Sequence, residues 1–170
     1  MKNHIPTFDG FLNEAAAIRV DLTPDLFDEK SIWGINKNEK DTGCATWRWN
    51  SNLLADLNPE GEIPGETNVV MVTVSIFSSG QGYAKVGISN SLKREPSTTL
   101  GSNYAFTVED AEKNLKKIAK EAADSLMDIE HFKWINKNIT CNRKKLIVKP
   151  KGDFSEVYEK VIAAALKDKQ

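Results

Sequence analysis

The stretch VMVTVSIFSSGQGYAKVGI, residues 70–88, decides how the rest of the chain is read. Val70, Val72, Val74 and Ile76 alternate with Met71, Thr73 and Ser75, which puts four β-branched side chains on one face of a strand. Ser78–Gly82 supplies a turn containing glycine, and Ala84, Val86 and Ile88 then share one face of a second strand. The pair is a β-hairpin with one apolar face, and that face needs a cover.

The cover comes from downstream. Over residues 107–129, Val108, Ala111, Leu115, Ile118, Ala122, Leu126 and Ile129 recur at helical spacing, with Glu112–Lys116 and Lys120–Asp124 as neighbouring charge pairs on the other side. Thr107 and Asp110 start this helix in the manner of a capping box. A further strand, Leu146–Lys149, leads to a last helix that Asp153 can cap, with Phe154, Val157, Tyr158, Val161, Ile162 and Leu166 on its apolar stripe. The expectation is an α+β domain: a mainly antiparallel sheet with two helices packed on one face, plus a short N-terminal helix. Val70, Val72, Val74, Ile76, Leu115, Ile118, Ala122, Val157, Val161 and Ile162 should then share one core.

Upstream of the hairpin the pattern is weaker. Thr7 can cap a short amphipathic helix over 7–18 that carries Phe8, Phe11, Leu12 and Ala15 on one side. Residues 19–66 hold Pro24, Pro59 and Pro64 with many Asn, Asp and Gly, and read as loops with two short strands, Ile32–Ile35 and Ala45–Asn50. The division expected is residues 1–14 as the N-terminal amphipathic segment and 15–170 as a single body.

Composition sets broad limits. A chain of 170 residues, 40% hydrophobic and 28% charged, fits one globular domain and holds no apolar run of about 18 residues. Phe8, Phe11 and Leu12 are interleaved with polar residues, unlike a secretory signal, so the expected location is the cytoplasm, with no membrane partner. Cys44 and Cys141 lack CxxC spacing and read as buried thiols. His4 and His131 have no ligand-spaced neighbours, and there is no GxSxG, Walker or GxGxxG motif, so neither a metal nor a cofactor is expected. SSGQG reads as a hairpin turn rather than a phosphate cradle.

Charge is uneven along a chain whose total is near neutral. Residues 1–66 carry twelve acids against six bases, whereas 67–170 carry twelve acids against seventeen bases. The excess gathers in an acid-free segment, 133–151, with Lys133, Trp134, Lys137, Arg143, Lys144, Lys145, Lys149 and Lys151. Cations next to an indole suit phosphate contact with base stacking in DNA or RNA. A strand edge guarded by lysines has the same composition. Trp33, Trp47 and Trp49 can likewise form a stacking platform or fill a core.

Two resemblances bear on function. YAKVGISNSLKRE, residues 83–95, resembles the second half of the GIY-YIG nuclease motif through Gly87, Ser89, Leu92 and Arg94. The tyrosines which that family uses on its two strands correspond to Val74 and Lys85, so its chemistry is missing. MKNHIPTFDGFLNEA, residues 1–15, resembles the N-terminal capsid-targeting propeptides of internal head proteins of T-even-type tailed phages, with Leu12, Asn13 and Glu14 before Ala15 fitting the prohead-protease site. The resemblance implies that residues 1–14 carry the protein to the capsid scaffold, and that the body from Ala15 onward is a non-enzymatic passenger inside the virion or an actor on host components. The alternative is a small nucleic-acid-binding module using 133–151, and a third reading is an enzyme with a site built from scattered acids and tryptophans.

Overall fold

A computed structural model describes residues 17–35, 44–51, 68–90, 96–138, 140–141 and 144–167. Residues 7–16 of the expected N-terminal helix, with Leu12, Glu14 and Ala15, and Arg143 lie outside the described residues. So do the side chains of Cys44, Trp134, Lys137, Cys141, Lys144 and Lys145. The N-terminal helix does not extend to its expected end, because Ile18 begins a strand.

The expected hairpin is the middle of a five-stranded antiparallel meander. Its strands are β2 (Trp33–Ile35), β3 (Cys44–Asn50), β4 (Asn68–Phe77), β5 (Gln81–Asn90) and β6 (Pro96–Thr107), in that spatial order. The β4–β5 turn is tighter than expected, spanning residues 78–80, with the Gly80 amide donating to the Phe77 carbonyl at 3.0 Å. Gly80 has φ +84°, a conformation that a side chain would strain, which explains the glycine there.

The long helix expected over 107–129 is broken. Helix α1 (Val108–Lys113) and helix α2 (Leu115–Leu126) meet at Asn114, whose φ −135° and ψ 47° are not helical. Asparagine accepts such angles more readily than most residues, and the hydrogen bonds Asn114 N to Asp110 O (2.8 Å) and Ile118 N to Asn114 O (3.0 Å) persist across the break. The apolar period therefore runs through without a signal. Glu112 and Lys116 flank the break, whereas Lys120 and Asp124 do pair, at 3.1 Å. Thr107 Oγ1 caps α1 by accepting from the Asp110 amide at 3.1 Å. Ile129 departs from the expected stripe: it opens helix α3 (Ile129–Asn138) and is 53% exposed.

A second, three-stranded sheet was not foreseen. Strand β1 (Ile18–Leu22) pairs in parallel with β8 (Lys144–Pro150), which also pairs antiparallel with the short β7 (Thr140–Cys141). Helix α4 (Ser155–Lys167) closes the chain, with Asp153 Oδ1 accepting from the Ser155 amide at 2.9 Å as expected of its cap.

α2 and α4 pack together over one face of the meander, while α3 lies against β8. The ten expected core residues all join one cluster, Leu115 at its margin, and Trp47, Trp49, Leu22, Phe132 and Val148 extend it to the second sheet. Residues 23–31 tie the sheets together. Trp49 Nε1 donates to the Asp28 carbonyl at 2.6 Å, and Phe27 meets Trp49 and Phe154 edge-on at 5.6 and 6.4 Å. The expected α+β class thus holds, and among the described residues no helix is long and apolar enough to cross a membrane.

Candidate functional site

The acid-free segment 133–151 is distributed over three elements: the end of α3, β7 and β8. β8 is the middle strand of its sheet and β7 an edge strand, and along β8 residues 144–145 pair with β7 alone and residues 146–150 with β1 alone. The acid-free sequence of the segment is not acid-free in space. Lys133 Nζ pairs with Glu130 at 2.6 Å, one helical turn back, and Lys151 Nζ pairs with Asp21 of β1 at 3.6 Å. Lys149 is exposed, and its register partner on β1 is Asp21. Of the side chains described, two of three cations on this surface have acidic partners, and the third has an acid opposite it in the ladder.

The tryptophans separate by strand parity. Trp47 and Trp49 point into the core, whereas Trp33 is 44% exposed on the opposite face of the meander. There its ring lies 5.4 Å from the guanidinium carbon of Arg48, which is 7% exposed. Desolvation lowers the Arg48 pKa from its ordinary value, and its Nε finds no hydrogen-bond partner among the described residues. Asn50, the next residue on the same face of β3, has a buried Oδ1 that also finds none among the described residues.

This outer face also carries Met71, which is 3% exposed, among mostly polar neighbours. Thr46 and Ser75 hydroxyls are 3.1 Å apart, Thr73 and Lys85 are half-buried, and Phe77 and Tyr83 meet edge-to-face at 5.7 Å. Lys85 stands opposite a β-bulge, because the ladder steps from Ala84/Tyr104 to Val86/Leu100. Sequence reasoning missed Arg48 and Lys85. The available signal was that β2 to β6 contain these two charged residues and no carboxylate.

Little else suggests chemistry. Among the described residues no group of three or more His, Cys, Asp or Glu could hold a metal ion. A groove of about 380 Å³ beside the start of α4 is lined by Lys120, Asp124 and Asp153, the first two paired and the third engaged as a cap. Val74, where the nuclease-like motif needs a tyrosine, is fully buried. Compared with protein-family models, curated proteins and solved structures, the chain matches none.

Proposed function

We propose that this chain is a non-enzymatic phage-type protein delivered to the capsid by residues 1–14, with the remainder as the passenger that is packaged or acts on host components. The observation that carries the reading is where the first described strand begins. β1 starts at Ile18, three residues beyond Ala15, and is paired along its whole length with β8. A cut between Glu14 and Ala15 would leave every strand and helix described here intact. Phe8, Phe11, Leu12 and Ala15 share helical spacing, which suits docking of one apolar face on a scaffold.

The test is processing by a T-even-type prohead protease, followed by mass spectrometry of protein recovered from particles. The expected product begins Ala15-Ala16-Ala17, and Phe8→Ser with Phe11→Ser should abolish packaging while leaving the thermal unfolding of the body unchanged. An intact chain from Met1 inside mature particles would overturn the proposal.

The second reading, nucleic-acid contact through 133–151, draws on the exposure of Lys133, Lys149 and Lys151. Replacing Arg143, Lys144 and Lys145 by Ala should then lower the salt slope of duplex binding by about 0.9 per lost phosphate contact. An unchanged slope would remove this reading.

A further inference from the structure

Arg48 and Lys85 are brought onto one face by the ladder. Trp33 is the register partner of Arg48, Arg48 of Thr73, and Thr73 of Lys85, so all four side chains stand in one row on the side away from α2 and α4. Strands lie about 4.8 Å apart, which puts the two cations on strands roughly 10 Å apart with the Thr73 hydroxyl between them. Tyr83 is the next residue on this face of β5, about 7 Å along the strand.

Arg48 is the unusual member. A guanidinium removed from water normally has a carboxylate beside it, because an uncompensated buried charge is unfavourable. No carboxylate among the described residues pairs with Arg48, and its guanidinium lies against the Trp33 ring. Lys85 also forms no ion pair with a described residue. The row therefore has positive charge, a hydroxyl and a half-exposed indole, and lacks an anion.

We propose that this face binds single-stranded nucleic acid, with a backbone phosphate held between Arg48 and Lys85 above Thr73 and a base stacked on Trp33. Phosphate supplies the missing anion in a geometry that the planar fork of arginine suits. Aromatic surface beside a cation is the arrangement that holds an unpaired base, and Tyr83 offers a second ring further along the same strand. The proposal is independent of capsid delivery and of segment 133–151.

The experiment uses the full chain and a fluorescein-labelled oligothymidylate, followed by anisotropy and by tryptophan emission at about 50 mM salt. Binding should quench tryptophan emission. Trp33→Ala should weaken binding about tenfold, the range for loss of one stacked base. Lys85→Ala should reduce the salt slope by about 0.7, the value for one phosphate contact on a single strand. Arg48→Met should abolish binding yet melt no lower than the parent chain, since it removes a charge that pairs with no described carboxylate. Replacing Arg143, Lys144 and Lys145 by Ala should leave the affinity unchanged. No binding would overturn the proposal. Inorganic polyphosphate binding as tightly as the oligonucleotide, indifferent to Trp33→Ala, would overturn it in favour of a bare phosphate chain. A sharp drop in melting temperature for Arg48→Met with oligonucleotide affinity retained would show that the guanidinium is satisfied within the chain.

Discussion

The two faces of the five-stranded sheet are built from alternate residues of the same strands and share almost no chemistry. Toward α2 and α4 stand Trp47, Trp49, Val70, Val72, Val74, Ile76, Ala84 and Val86, all buried and none charged. On the other side stand Trp33, Thr46, Arg48, Thr73, Ser75, Tyr83 and Lys85, together with Phe77 and a buried Met71. One residue of register separates Val74 from Thr73, and a slip of that size would exchange the faces. The inner face gains stability by removing apolar area from water, at about 25 cal/mol per Å². The outer face holds a desolvated cation and several hydroxyls, two of which, on Thr46 and Ser75, bond to each other.

The largest effect should come from the inner side. Ile162 on α4 is fully buried in the cluster that the inner face closes. Ile162→Ala should lower unfolding free energy by about 2–5 kcal/mol, through lost transfer energy plus the cavity left behind. Urea unfolding followed by circular dichroism measures this. A loss below about 1 kcal/mol would mean that α4 does not complete the core and that the two faces are less distinct than described.

The inner face was legible in the sequence and the outer face was not, for a physical reason. Apolar alternation at Val70–Ile76 and the stripe Val157–Ile162 are periodic signals that add over many residues, so hairpin, cap and covering helices could all be read. The break at Asn114 left the period undisturbed, and only the backbone angles reveal it. β1 carries a short alternation, Ile18, Val20 and Leu22, but its parallel partner lies at Leu146–Pro150, too distant in sequence for any local pattern to indicate. The surroundings of the basic segment were hidden in the same way. Glu130 and Asp21 lie outside it in sequence and beside it in space. The Arg48–Thr73–Lys85 row spans three strands, and a row across a sheet has no sequence period at all.

A smaller effect is expected where inner chemistry is altered without changing volume. Val74 is fully buried opposite Trp47 and Ala84. Val74→Thr keeps the β-branch and replaces one methyl group with a hydroxyl that meets apolar neighbours. The cost should be about 1–3 kcal/mol, the desolvation penalty of a polar group left without a partner. The same urea titration measures it, and a neutral result would indicate water or a polar partner on the inner face.

The smallest effect, and the sharpest contrast, is the reverse swap one residue earlier. Thr73 is half-buried on the outer face between Arg48 and Lys85. Thr73→Val again preserves shape and strand propensity, now removing a hydroxyl from a polar surface. Stability should change by no more than about 0.5 kcal/mol, as for most substitutions away from a core. Oligothymidylate affinity should fall about tenfold or more, because a hydroxyl between the two cations no longer donates to phosphate, a hydrogen bond to a charged group being worth about 1.5–3 kcal/mol. Stability and binding would then separate at adjacent residues: Val74→Thr costs folding energy, and Thr73→Val costs ligand. If Thr73→Val instead destabilised the chain by more than about 1 kcal/mol, its hydroxyl would be part of an internal network of the kind that makes one-sided deletions costly. The outer face would then be a second core rather than a binding surface.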